Sequence, residues 1–270
     1  MAEYWELVVL LQNALIAGAV LGVMGGLIGT FVMARDMAFA VHGIAELTFA
    51  GAAAGLLFGI GVIPGALAGS ILAAAIIGLL GEKARDRNSI VAVLMPFGLG
   101  LGIAFLALAP GRSVNKFGLL TGQIVAVADT QLQVVIALAV VVTAVLLLIW
   151  RPLLFASVDA HVAASRGVPL KALSLGFMLL LGVAVAMSVQ IIGALLVLAL
   201  LVTPAAAALK LSSSPVVVPL LAMLFGVLSM VGGILLALPW AIPVSPFITT
   251  LSFLIYLVAW GIGRARGRTV

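Results

Sequence analysis

His42 and Glu46 stand four residues apart in the apolar stretch ARDMAFAVHGIAELTFAGAAAG, residues 34–55. On a helix this spacing puts both side chains on one face, a turn apart. An ionised side chain within the hydrocarbon costs about 2.5–3.5 kcal/mol on insertion scales, so such residues face a bundle interior or a watered path. An imidazole nitrogen and a carboxylate oxygen together make half of a site for a first-row divalent metal. Three readings stand at this point: metal ligands or a gate, a His–Glu hydrogen bond in which each satisfies the other, and a proton relay. One imidazole and one carboxylate cannot close a four-coordinate shell. Two copies related by a dyad would supply two of each, and water or a partner protein could also complete it.

Two further stretches carry features of interest. The segment RPLLFASVDAHVAASRGVPLK (151–171) reads as a cytoplasmic loop holding a short amphipathic helix that ends at Gly167, with Pro169 beyond it. It could dock a cytoplasmic motor or serve as a solvated connector, and His161 within it reads as exposed. The run IIGALLVLALLVTPAAAALK (191–210) places Pro204 near one end of a span. Proline removes a helical hydrogen bond and kinks the helix, which suits a gate, although close packing at Ala205 to Ala208 explains the same residues. Asn13 and Gln190 are neutral amides that need partners and are weaker candidates for lining a path.

Several chemistries are absent. There is no cysteine, no G-x-x-x-x-G-K-[ST] phosphate loop and no H-E-x-x-H. Two histidines, one in a loop, do not make a Ser/His/Asp set. GLGLG at 98–102 lies in an apolar span without a βαβ context, so it is no nucleotide loop. ATP, if used, must be hydrolysed on another polypeptide.

The elements that would position these residues follow from composition. The chain has 270 residues, 65% hydrophobic and 8% charged, with a mean hydropathy of +1.42. Soluble domains run near 45–50% apolar and about a quarter charged. A soluble enzyme, a disordered chain and a nucleic-acid binder are excluded together. At roughly 20 residues per crossing, the expectation is an all-α, polytopic helical bundle forming a single transmembrane domain over 1–270. Apolar runs mark nine spans, near 7–33, 38–58, 60–80, 89–109, 132–150, 172–188, 190–209, 215–238 and 247–263. Eight spans result if one run is re-entrant, and the tight pair 172–188 and 190–209 is where that would occur. Pro64, Gly81, Pro110–Gly111, Pro152, Pro215, Pro239 and Pro243 punctuate the runs as turns or span ends. The N-terminus, with Glu3, Glu6 and no basic n-region, reads as a retained first helix. The segment 112–131 is polar for this chain and is expected at a surface.

Net charge is +5, and its distribution sets a topology. With the N-terminus outside and nine crossings, Arg35, Lys83, Arg85, Arg87, Arg151, Arg166, Lys171, Lys210, Arg264, Arg266 and Arg268 lie inside, and only Arg112 and Lys116 lie outside. The C-terminus is then cytoplasmic. Glycine recurs every fourth residue at Gly18, Gly22, Gly26, at Gly51, Gly55, Gly59 and at Gly61, Gly65, Gly69. That pattern lets helix backbones approach closely, within the bundle or at a dimer seam.

Most of the length resembles the permease subunits of bacterial ABC-type manganese/zinc/iron importers. The resemblance is carried by FVMARDMAFAVHGIAELTFAGAA (31–53), GLLTGQIVAVADTQL (118–132), FASVDAHVAASRGVPL (155–170), IIGALLVLALLVTPAAAA (191–208) and SPFITTLSFLIYL (245–257). It implies a dimeric permease fold in the bacterial cytoplasmic membrane, either homodimeric or heterodimeric. It also implies a pair of cytoplasmic ATP-binding subunits and an extracellular metal-binding protein that delivers the ion. By the same resemblance, the loop from Asp159 through His161 and Arg166 to Gly167 is the coupling helix. Many members carry Asp then His, four apart, where this chain has His42 then Glu46: the ligand classes are kept and their order is exchanged. Imidazole favours zinc, while carboxylate and water suit manganese; iron is a third option. The cargo is then Zn2+, Mn2+ or Fe2+, with no resident cofactor and no nucleic acid. The rival functions are a proton-coupled secondary metal carrier and a membrane scaffold without transport.

Overall fold

The computed structural model describes residues 10–81, 84–109, 118, 122, 127–240 and 243–267. Every long element among them is a helix, because a chain in hydrocarbon must satisfy its own backbone groups. In order they are α1 (Gln12–Ala34), α2 (Ala38–Leu57), α3 (Val62–Leu80), α4 (Ala84–Leu108), α5 (Asp129–Val158), α6 (Ala160–Ser165) and α7 (Leu170–Ile192). A 3₁₀ turn (Ala194–Leu196) follows, then α8 (Val197–Leu201), α9 (Thr203–Leu211), α10 (Val217–Ala237) and α11 (Val244–Ala265). Residues 1–9, where the expected first helix begins, and most of the polar segment 112–131 lie outside the described residues.

Eight of these helices are long and apolar enough to span a bilayer. They correspond to eight of the nine expected runs. The remaining run, 190–209, is not one helix. Gly193 takes φ +86 and stops α7, and Val202 separates α8 from α9. Pro204 sits at the first turn of α9 and has no N–H to continue the ladder from α8. A second departure concerns Pro152, which does not end its span: α5 runs through it to Val158. The carbonyl that Pro152 leaves without its helical partner belongs to Leu148, which is 81% exposed, so the missing bond falls on an exposed face and the helix continues past it.

The helices gather into two compact units. The first comprises residues 1–33, 123–140 and 198–270. Here α1 and α10 touch backbone to backbone: a Cβ on Gly26 would strike the Ala222 carbonyl, and one on Gly22 would stand 2.7 Å from the Gly226 carbonyl carbon. Gly29 likewise meets the Leu201 carbonyl, and Gly263 of α11 meets that of Lys210 at the end of α9. Ala205, Ala208, Val218 and Ala222 form a small core under Met33. Asn13 is used structurally, its Nδ2 donating to the Val127 carbonyl (3.3 Å) and to Asp129 Oδ1 (2.7 Å).

The second unit comprises residues 34–122 and 141–197. Its centre is α2, against which α3 and α4 pack. The glycine rows on α2 and α3 interlock: Gly51 faces Gly65 and Gly69, and Gly55 faces Gly61 and Gly65. α7 packs in turn on α3, with Gly182 against Ser70 and Ala74, and Gly78 against Leu175 and Met178. In both units the four-residue glycine spacing serves packing inside the chain.

Candidate functional site

The start of α2 is held in place by a buried arginine. Asp36, between α1 and α2, has φ +52, a left-handed conformation that aspartate tolerates better than most residues. Arg87, in the first turns of α4 and only 7% exposed, donates from Nη2 to the carbonyls of Arg35 (3.2 Å) and Asp36 (3.0 Å). Those carbonyls are among the orphan acceptors left where α1 ends. A single guanidinium thus ties the α1–α2 turn to α4. In the sequence Arg87 reads only as an inside charge. Its signal was faint: an arginine one turn ahead of a long apolar run, like many topology markers.

Glycines then bring α4 across the middle of α2. A Cβ on Gly98 would stand 3.1 Å from the Glu46 carbonyl carbon, and one on Gly102 would stand 2.5 Å from the Phe49 ring. Gly43 accommodates the Val91 side chain in the same way. With α3 packed on its glycine face, α2 is enclosed over most of its length, and Glu46 is only 3% exposed.

On this enclosed helix His42 Nε2 lies 3.8 Å from Glu46 Oε1. That is beyond hydrogen-bond range, so the pair do not satisfy each other. His42 Nδ1 and Glu46 Oε2 are both buried without a hydrogen-bond partner. Most buried polar atoms in proteins have partners, and each exception asks for a reason. A lone-pair nitrogen and a carboxylate oxygen, one turn apart and unused, can accept a cation or a proton. Among the described residues no group of three His, Asp or Glu comes together, so the pair offers at most two donor atoms' worth of a metal shell.

The other expected site residues lie elsewhere. Asp159 caps α6, its Oδ1 accepting from the Val162 amide at 2.9 Å, a standard N-cap. Arg166 follows the last residue of α6, and Gly167 takes φ +84 to close the helix. Asp159, His161, Arg166 and Gly167 are all exposed, and they do not approach the His42–Glu46 pair as a cluster. Pro204 is buried at the start of α9.

Comparison with known proteins agrees with this architecture. The ABC 3 transport family matches residues 8–262. The chain belongs to the ABC 3 transport family. Among curated relatives of this permease is the manganese transport system membrane protein MntC of Halalkalibacterium halodurans, 31% identical over 225 residues, which are 83% of this chain and 77% of the relative. The manganese import system permease protein ScaB of Streptococcus parasanguinis is 30% identical over 251 residues, 93% of this chain and 89% of the relative. Among solved structures, a chain of PsaBC from Streptococcus pneumoniae in complex with Fab superposes with a TM-score of 0.86 at 26% identity, covering 96% of this chain and 95% of that one. The protein is therefore a multi-pass membrane permease subunit of an ABC transporter.

Two stretches of this ABC 3 permease that carry the sequence resemblance also meet in space. Gly122, at φ +84, lies against the Ile191 and Ile192 carbonyls, where no side chain would fit. Gly122 and the Ile191–Ile192 backbone thus meet closely at the point where α7 ends.

Proposed function

We propose that this permease carries a divalent metal ion, manganese in the first instance, inward across the bacterial cytoplasmic membrane. His42 and Glu46 would be the ligands the ion meets on its way. The observation that supports this is the pair of buried, unpartnered atoms His42 Nδ1 and Glu46 Oε2 on an otherwise apolar helix. Manganese is the ion named for the relatives, and a carboxylate with water suits it. Zinc, which imidazole favours, and iron are the competing cargoes. Two copies of the chain around a dyad would complete the shell with two imidazoles and two carboxylates. Energy would come from a pair of cytoplasmic ATP-binding subunits, and the ion from an external metal-binding protein.

In this mechanism the ion sheds water as it enters the dry section of α2, and the two ligands replace part of its hydration. Binding needs a neutral imidazole and an ionised carboxylate, so protons compete with the metal. Motion of the ATP-binding subunits would reach the ligands through one packed body: α6 is followed directly by α7, α7 packs on α3, and α3 interlocks with α2. Asp159 and Gly167 keep α6 rigid enough to be pushed. The break at Val202–Pro204 would let α9 swing as a gate within its own unit.

The proposed orientation keeps the N-terminus outside and the C-terminus inside. α9 and α11 end side by side, Lys210 beside Gly263, which supports putting Lys210, Arg264 and Arg266 on one face. The broken segment α8–α9 would then complete the ninth crossing in pieces.

The deciding experiment is metal uptake and bound-metal content of the assembled transporter, wild type against His42→Ala and Glu46→Ala. The expected result is loss of uptake and of bound manganese in both variants, with assembly and ATP binding unchanged. Wild-type uptake in both would discard the assignment. Uptake by this chain alone, driven by a pH gradient in proteoliposomes, would replace it with a secondary carrier.

A further inference from the structure

Three buried hydroxyls turn back on their own helices: Thr48 donates to the Ile44 carbonyl, Ser188 to that of Ala184 and Ser229 to that of Phe225. Ser252 of α11 does otherwise. It is 2% exposed, and its Oγ donates across to the Ala199 carbonyl of α8 at 3.1 Å. That carbonyl lies just before the break between α8 and α9. The helical ladder is incomplete there. Leu198 accepts from the Val202 amide at 2.9 Å, but the donor due to Leu200 would be Pro204, which has no N–H.

A second contact fixes the register. Gly263 of α11 rests on the Lys210 carbonyl at the end of α9. Ser252 to Gly263 and Ala199 to Lys210 are both intervals of eleven residues, about 16 Å of helix. An unbroken helix thus runs alongside a broken one and touches it on both sides of the gap. The two contacts differ in kind. α9, α10 and α11 pack on one another pairwise, so the Gly263 contact lies inside a three-helix group. The Ser252 bond joins that group to α8, across the joint. A hydrogen bond in apolar surroundings is directional and has no water to replace it, so this one favours a single angle at the joint.

We propose that Ser252 is a latch on the α8–α9 joint: its bond to the Ala199 carbonyl holds α8 to the group of α9, α10 and α11, and opens when that group pivots at Val202. This rests on the reading of Val202–Pro204 as the hinge of a gate. Ser252 acts on the ion only through that gate, as a positioning residue. Without the bond the gate leaves the latched conformation more readily, and cycles run without cargo.

The test compares Ser252→Ala, Ser252→Cys and Pro204→Ala with wild type, each reconstituted with the ATP-binding subunits. Read on each sample are ATP hydrolysis without added metal, manganese imported per ATP, and the unfolding midpoint. Cysteine has nearly the size of serine but is a weak donor; it separates bonding from packing, and it stands in should the alanine variant not assemble. Both Ser252 variants are expected to raise metal-free hydrolysis about threefold or more, the equilibrium equivalent of one interhelical hydrogen bond, and to import less manganese per ATP at an unchanged midpoint. A lowered midpoint with unchanged hydrolysis would make Ser252 a packing residue and overturn the latch, as would wild-type behaviour of Ser252→Cys. Pro204→Ala restores the missing N–H and is expected to lower uptake. If it transports as wild type, the hinge reading fails and the latch with it. A Pro204→Ala defect beside wild-type coupling in both Ser252 variants overturns the latch and leaves the hinge standing.

Discussion

Gly98 of α4 rests on the peptide that carries Glu46: a Cβ there would stand 3.1 Å from the Glu46 carbonyl carbon and 2.6 Å from a Leu47 methyl. The peptide that carries the buried carboxylate is therefore seated by α4. Gly98→Val should push α4 away from α2, with an overpacking cost of about 1–3 kcal/mol. Uptake should fall although His42 and Glu46 remain. Gly100, two residues on, faces open space, so Gly100→Ala should leave uptake unchanged and stabilise the helix by up to about 1 kcal/mol. Thermal unfolding and uptake of the two variants side by side check this.

Glu46→Gln should separate function from stability. The carboxylate is 3% exposed and has one oxygen without a partner, so it is held at a cost. Replacing it by the neutral amide should leave the unfolding midpoint equal or higher. Metal affinity should drop at least tenfold, about 1.4 kcal/mol. A midpoint several degrees lower would mean that the carboxylate is structural.

Acidification should weaken transport. Protonation of either His42 or Glu46 removes a ligand. Uptake, measured with the ATP supply held constant, should decline as the pH is lowered. The decline should be partly reversed by raising the metal concentration, because the two cations compete. A decline that no metal concentration relieves would point away from the pair.

The helix α6 offers a test of coupling. Asp159→Ala removes the cap to the Val162 amide, at about 1 kcal/mol. Gly167→Ala places a side chain at φ +84, at a cost of about 1–2 kcal/mol. Both changes are exposed and far in sequence from His42. Expected is a full-length, membrane-inserted permease whose partner ATPase turns over without matching uptake. Uptake and hydrolysis measured on one reconstituted sample give the ratio.

Much of this architecture was legible before any coordinates. The apolar runs gave eight of the helices, since hydrocarbon demands long uninterrupted stretches. His42 and Glu46 stood out as ionisable groups where charge is expensive. Pro152 misled because sequence cannot tell a proline on an exposed helix face from one that ends a span. The run 190–209 is broken at the place where the eight-span alternative put it: its apolar content is high enough for a span, and the positive-φ Gly193 with the ladder gap before Pro204 interrupts it.

Composition alone, then, placed this chain in a membrane, and spacing alone put an imidazole and a carboxylate on one helical face. Both are local properties, read along the chain. That Glu46 and His42 leave each other unsatisfied depends on where the surrounding helices set their side chains, and that Gly98 seats the Glu46 peptide and Arg87 clasps the turn before α2 are matters of contact between residues remote in sequence. No periodicity encodes them, because they arise only when separate helices pack and each side chain must find its partners, or fail to, in three dimensions.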